Sequence, residues 1–227
     1  MDAEELLSRL LYRDALMLVI NKPAGLPVHA GTGGGETLDR HFHALQFGLP
    51  RPPALAHRLD RDTSGCLILG RNRHALHKLG NMFAIGRVKK TYWAVVHGHM
   101  PQPEGRIDMP LEKQSESSKR WWMKIAESGG QSAITNYRVL GQSQTHSWLE
   151  FKPETGRTHQ LRVHSAALGH AIMGDKIYGT QEPGERLQLH ATALEVPLYD
   201  KKPPIIIEAP PPEHMLELLG QCGYLKS

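Results

Sequence analysis

Cysteine is scarce, long apolar runs are absent and the charge surplus is small, and each shortage removes a class of protein. Only Cys66 and Cys222 occur in 227 residues, far apart in sequence. No Cys-x-x-Cys spacing exists, so neither a disulfide framework nor a cysteine zinc site is expected. No apolar run approaches the roughly 20 residues of a membrane span. The acidic start, Met1-Asp2-Ala3-Glu4-Glu5, lacks the basic-then-apolar plan of a signal peptide. A soluble cytoplasmic protein is the expectation. The formal charge of +4 permits an anionic partner without demanding one. Fourteen histidines are present, including His41-Phe42-His43 and His97-Gly98-His99, but no His-Glu-x-x-His, so no metal is expected. The glycine-rich stretch Gly31 to Thr37 lacks the Lys-Ser/Thr pair of a phosphate loop and reads as a plain loop. Asp62-Thr63-Ser64-Gly65 is similar to the Asp-Thr-Gly of aspartic proteases, but the extra serine breaks the pattern and no second copy exists. No Gly-x-Ser-x-Gly elbow occurs either.

What is present is organised around Ala56-His57-Arg58-Leu59-Asp60-Arg61-Asp62-Thr63-Ser64-Gly65. Ten residues hold two arginines, two aspartates and a histidine, and the apolar run Cys66 to Leu69 follows at once. That run reads as a buried strand. Charges held against a core are costly unless paired, so the segment needs partners elsewhere in the chain.

The rest of the pattern is strands joined by turns, with a few helices. Strands are expected at Leu16 to Ile20, Arg87 to Val96, Ala133 to Leu140, Ser147 to Lys152, Gln188 to Val196 and Ile205 to Glu208. Helices are expected at Ala3 to Leu10, Thr37 to Gln46, Ala75 to Phe83 and Glu213 to Leu219. Gln114 to Gly130, with Lys119, Arg120, Trp121, Trp122 and Lys124, reads as an exposed loop or hairpin. The expected fold is α+β, a mixed, mostly antiparallel sheet flanked by helices and loops. Residues 1–10 form an N-terminal extension and 11–227 one domain, with no repeat and no clear linker.

A second polar stretch is Pro153-Glu154-Thr155-Gly156-Arg157-Thr158-His159-Gln160-Leu161-Arg162-Val163-His164. Thr158 is the expected helix N-cap and Gly169 the stop. Two readings stay open. One is a basic amphipathic helix with a solvated face. The other is an arginine pair at a helix start, where backbone donors favour anions.

The motif set resembles the RluA family of RNA pseudouridine synthases. The resemblance rests on His57-Arg58-Leu59-Asp60 with Thr63-Ser64-Gly65, on Lys90-Thr91-Tyr92-Trp93-Ala94, and on Gly156 to His164. Lys22-Pro23-Ala24-Gly25-Leu26 and Gly169-His170 through Gly174-Asp175 to Tyr178-Gly179 match as well, and the order and spacing fit from Leu11 to Ala209. The chain resembles the short members that lack an N-terminal RNA-binding domain. The resemblance implies a pseudouridine synthase catalytic domain acting on transfer RNA, large-subunit ribosomal RNA or both. It implies isomerisation of uridine to pseudouridine without cofactor or metal, and a monomer is the expectation.

The same resemblance assigns residues. Asp60 is the essential aspartate, and Arg162 is the arginine that pairs with it and favours its ionised form. Tyr92 lines the pocket, stacks on the uracil and helps take the proton from carbon 5. Leu161 packs against the base. Arg58 enters the space left when the target nucleotide leaves its stack. His57 and Arg157, in the same motifs, complete the RNA-contacting set. The rival reading is an RNA-binding or RNA-chaperone module on the same fold with little or no catalysis.

Overall fold

A computed structural model describes residues 1–30, 34–117, 121–180 and 184–225. Gly31, Thr32 and Gly33 of the glycine-rich stretch, and Lys119 and Arg120 of the polar hairpin, lie outside the described residues.

Local chemistry sets the early elements. Helix α1 (Ala3–Ser8) starts at Asp2, whose carboxylate accepts the Glu5 N–H at 2.8 Å. Strands β1 (Leu10–Arg13) and β2 (Met17–Lys22) pair antiparallel around Asp14, which accepts the N–H groups of Leu16 and Met17. Leu38–Leu45, expected as a helix, is a 3-10 helix with Leu38, Phe42 and Leu45 buried. Its first donors go to a preceding loop, Leu38 N–H to Pro27 O and Asp39 N–H to Val28 O, and no side chain caps it. β3 (Ala54–Leu55) leads to β4 (Ser64–Gly70), all seven residues of which are buried. Helix α2 (Arg73–Ala84) is capped by Asn72 and is followed by Gly86 at φ +70°.

The remaining elements are β5 (Lys89–His97), β6 (Glu104–Asp108), β7 (Leu111–Ser115), β8 (Trp121–Ile125), β9 (Ile134–Gln142) and β10 (His146–Pro153). They are followed by α3 (Gln160–Ala167), β11 (Leu189–Val196), β12 (Ile205–Glu208) and α4 (Glu213–Gln221). The sequence pattern missed β1, β3 and β6. These strands are short or polar; β1 takes its ladder from the adjacent β2, whereas β6 takes its own from the distant β9.

The chain divides into two compact units, Met1–Lys90 with Ala191–Pro210, and Thr91–His190 with Pro211–Ser227. In the first unit β1–β2, β2–β4, β3–β4 and β11–β12 all pair antiparallel. Alternate residues Met17 and Val19 of β2 and Cys66 and Ile68 of β4 share a core with Leu79 and Met82 of α2. In the second unit the order is β5-β10-β9-β6, again antiparallel, and β7–β8 form a separate two-stranded ribbon. Strand alternation sends Ala94 and Val96 into a core with Leu161 of α3, and Trp93 and Val95 toward Met215 and Leu219 of α4. The sheet is mostly antiparallel and flanked by helices, the α+β class expected from the pattern.

Candidate active site

In the first unit the polar segment turns sharply before β4. Thr63 N–H donates to the Asp60 carbonyl at 3.2 Å, closing a turn that carries Asp60, Arg61 and Asp62. The turn is clasped from the Lys22–Gly25 stretch. Lys22 is fully buried, and its Nζ donates to the carbonyls of Pro23 at 2.7 Å, Arg61 at 2.9 Å and Thr63 at 2.9 Å. Gly25 N–H also donates to the Arg61 carbonyl, at 2.9 Å. An ammonium has three protons and here meets three carbonyls, which is how a buried lysine is made tolerable. Burial pushes its pKa down to about 7, while the charges of Asp62 and Asp60 pull it back up. Gly65 sits at φ +108°, and a Cβ there would lie 2.2 Å from the Ala191 carbonyl oxygen, so only glycine fits.

Asp60 is half-buried in that turn, and Arg58, two residues before it, is exposed. His57 is turned inward. Its ring stacks on Phe83 at 4.4 Å, and its Nε2 accepts the Ile68 N–H at 3.0 Å. Burial, and then the nearby charge of Lys90, push its pKa down to about 3, so the imidazole is neutral. Its ring pins the Arg58–Asp60 stretch to β4.

In the second unit α3 is buried rather than solvated. Gln160, Leu161, Arg162, Val163, His164 and Ser165 are all buried. The solvated-face reading fails because the polar residues bond inward. Gln160 Oε1 accepts from Thr155 Oγ1 at 2.7 Å and from Arg157 N–H at 3.0 Å, and its Nε2 donates to Ile134 O and Thr135 Oγ1. His164 Nε2 donates to Met109 O at 2.9 Å, so its Nδ1 accepts from Thr135 Oγ1 at 3.0 Å. Burial holds the His164 pKa below the ordinary histidine value. Thr158 is not the cap. His159 occupies that position at φ +53° without a side-chain cap bond, and the Gln160 side chain takes up the loop donor instead.

The two arginines of this stretch part company. Arg157 is exposed and donates from Nε to Ser132 O at 2.9 Å. Arg162 is buried and forms a bidentate pair with Asp175, Nε to Oδ2 and Nη2 to Oδ1, both at 2.7 Å. Asp175 Oδ1 also accepts the N–H groups of Ile177 and Tyr178. Burial raises the Asp175 carboxyl pKa, but the bonds and charge of Arg162 outweigh it and hold the group below the ordinary value. Leu161 is buried in the core beneath β5 and β10, and Tyr92 packs against that same core, half-buried.

The Gln114–Gly130 region contains a true hairpin, β7 pairing β8 with Ser115 opposite Trp121. Trp121 is exposed and Trp122 half-buried. The Trp121 ring stacks on His159 at 5.5 Å, and Lys113 Nζ lies 5.0 Å from its centroid. Lys124 pairs with Glu112 across the ribbon at 3.0 Å.

Sequence reasoning gave no role to Lys22, Gln160, Asp175 or Tyr178. All four fall inside the stretches that carry the resemblance, which was the available signal. None has a periodic spacing that announces its partner.

The family described as RNA pseudouridylate synthase matches residues 16–167. An uncharacterized RNA pseudouridine synthase of Zymomonas mobilis is 45% identical over 216 residues, covering 94% of this chain and 98% of that protein. Ribosomal large subunit pseudouridine synthase D of the same organism is 34% identical over 197 residues, covering 82% of this chain and 60% of that protein. Among solved structures, human RNA pseudouridylate synthase domain containing 4 superposes with a TM-score of 0.81 at 26% identity, covering 97% of this chain and 95% of that one.

Proposed function

The chain belongs to the RNA pseudouridylate synthase family and is an RNA pseudouridine synthase, and from that premise we propose that it isomerises specific uridines of structured RNA with Asp60 as the reacting carboxylate. The substrate is transfer RNA, large-subunit ribosomal RNA or both. In the reaction the bond from ribose carbon 1′ to N1 breaks, the uracil turns, and carbon 5 joins carbon 1′. The proton of carbon 5 leaves, and N1 gains one, so no oxidant, cofactor or metal is needed. The protein acts as a monomer in the cytoplasm.

The observation that carries the reading is the Asp60 turn, clasped by a fully buried Lys22. A carboxylate on a surface loop would swing freely. This one is carried on backbone held at both Arg61 and Thr63, which suits a group that must meet one atom of a nucleotide. Whether it adds to the nucleotide or removes a ribose proton, it must be ionised. Arg162 supplies positive charge that favours an ionised carboxylate, Tyr92 stacks on the uracil and takes up the proton of carbon 5, and Leu161 packs against the base. Arg58, exposed beside Asp60, fills the stack vacated by the flipped nucleotide. Arg157 contacts the RNA backbone, and His57 serves by holding the Arg58–Asp60 stretch against β4. The test is tritium release from RNA labelled at carbon 5 of uridine. Release that disappears in Asp60→Ala is expected; tight binding with no release would mark an RNA-binding module instead.

A further inference from the structure

Tyr178 reaches two parts of the second unit at once. Its hydroxyl accepts the Met123 N–H of β8 at 2.9 Å and lies 2.8 Å from His159 Nδ1. A backbone N–H can only donate, so the tyrosine oxygen is the acceptor there and its own proton is available to the imidazole. At its other end, the ring lies 5.2 Å from the Arg162 guanidinium, and the Tyr178 N–H donates to Asp175 Oδ1 at 3.1 Å. That oxygen is the one gripped by Arg162 Nη2. The hydroxyl therefore holds the hairpin, and the ring and backbone hold the arginine.

His159 completes the connection. It stands at φ +53°, a left-handed conformation uncommon for a non-glycine residue. Two contacts hold its side chain there, the Tyr178 hydroxyl at Nδ1 and the Trp121 ring stacked on its face. His159 is also the cap of α3, three residues before Arg162. Trp121 is exposed at the end of β8 nearest the hairpin tip, with Lys113 beside it. An exposed aromatic face with an adjacent ammonium suits an unpaired base and its phosphate.

We propose that Tyr178 is a positioning residue that ties the β7–β8 hairpin to Arg162, so that RNA held at Trp121 also holds the guanidinium in its working direction. The inference rests on the reading that Arg162 acts in the reaction. A merely structural tyrosine would affect melting and little else. The coupling predicts a change in turnover of folded, saturated enzyme.

The experiment compares Tyr178→Phe, Trp121→Ala and the double variant by tritium release at saturating RNA, well below the melting temperature. Tyr178→Phe keeps the ring over Arg162 and removes both hydroxyl bonds. It should lower kcat about tenfold with KM changed less than about twofold. Trp121→Ala should lower kcat in the same way. The double variant should be no worse than the more damaged single one, because both cut one connection. Wild-type kcat in Tyr178→Phe, or fully multiplicative losses, overturns the proposal. Arg162→Met is run alongside. If it turns over normally, the active-site reading has failed; if it is dead while Tyr178→Phe is normal, only the coupling has failed. Should Tyr178→Phe not fold, Trp121→Ala carries the test through the Arg162 Nε–H resonance of the full-length protein. Its position should shift on loss of the Trp121 ring, and an unchanged resonance overturns the proposal.

Discussion

Arg162 and Asp175 meet edge to edge, with Nε 2.7 Å from Oδ2 and Nη2 2.7 Å from Oδ1, both side chains almost fully buried. Asp175→Asn keeps the shape and removes the charge. The guanidinium is then left buried beside a neutral amide, and loss of one partner of such a pair costs about 3–5 kcal/mol. Urea unfolding should show that loss, and turnover should fall because Arg162 is no longer aimed. Equal stability of the Asn variant and the wild type would show that the pair carries no such load.

Asp60→Ala and Asp60→Asn should abolish tritium release while RNA binding survives. The carboxylate does the chemistry, whereas affinity comes mainly from phosphate contacts. Filter binding alongside the release assay separates the two. Near-normal turnover in Asp60→Ala would remove Asp60 from the reaction.

Lys22→Met should lower both stability and turnover. The carbonyls of Pro23, Arg61 and Thr63 lose their shared donor, and a buried acceptor without a partner costs about 1–3 kcal/mol. Removing a buried charge offsets part of that, so a net loss of about 2–4 kcal/mol is expected. Turnover measured far below the melting temperature should still drop, because the Asp60 turn loses its clasp. Full turnover in a destabilised Lys22→Met protein would make the lysine purely structural.

Acid should destabilise the protein before ordinary carboxylates titrate. His57 is neutral when folded, with its pKa pushed down to about 3, against about 6.5 unfolded. Between those values the unfolded chain binds the extra proton, so stability falls as pH drops from about 6.5 toward 3, by up to about 1.4 kcal/mol per pH unit. His164, lowered by burial, acts in the same direction. Asp175 acts lower still: its lowered pKa gives stability that is complete above its ordinary value and lost as pH falls through the folded one. Unfolding in urea at successive pH values reads the slope. His57→Phe, which keeps a ring against Phe83, should flatten it, and an equal slope in that variant would mean His57 is not the sensor.

The hairpin should contribute to RNA affinity through charge. Lys124 is engaged with Glu112, so in the triple variant Lys119→Ala, Arg120→Ala, Lys124→Ala most of the change should come from the first two residues. The slope of log binding constant against log salt should flatten by about 1.5–2 units, at roughly 0.7–0.9 per lost phosphate contact. An unchanged slope would leave the ribbon as structure only.

The sequence by itself determined what depends on neighbours along the chain. The apolar run Cys66 to Leu69 reads as a buried strand, and it forms the centre of β4. The stops at Gly86 and Gly169 mark helix ends through local backbone chemistry. The same logic exposed the charged Ala56–Gly65 segment as one that needed partners, and the motif order carried the family. Tertiary structure decided which partners answered. Lys22 reaches across about forty residues to the Arg61 and Thr63 carbonyls, and Asp175 reaches back to Arg162 from beyond the end of α3. No period encodes either distance. The same is true of α3, for which a solvated face is one open reading of the sequence, but whose polar residues close a buried network with Thr135, Thr155 and Met109. Buried polar groups must find hydrogen-bond partners, and only packing in three dimensions says where those partners are.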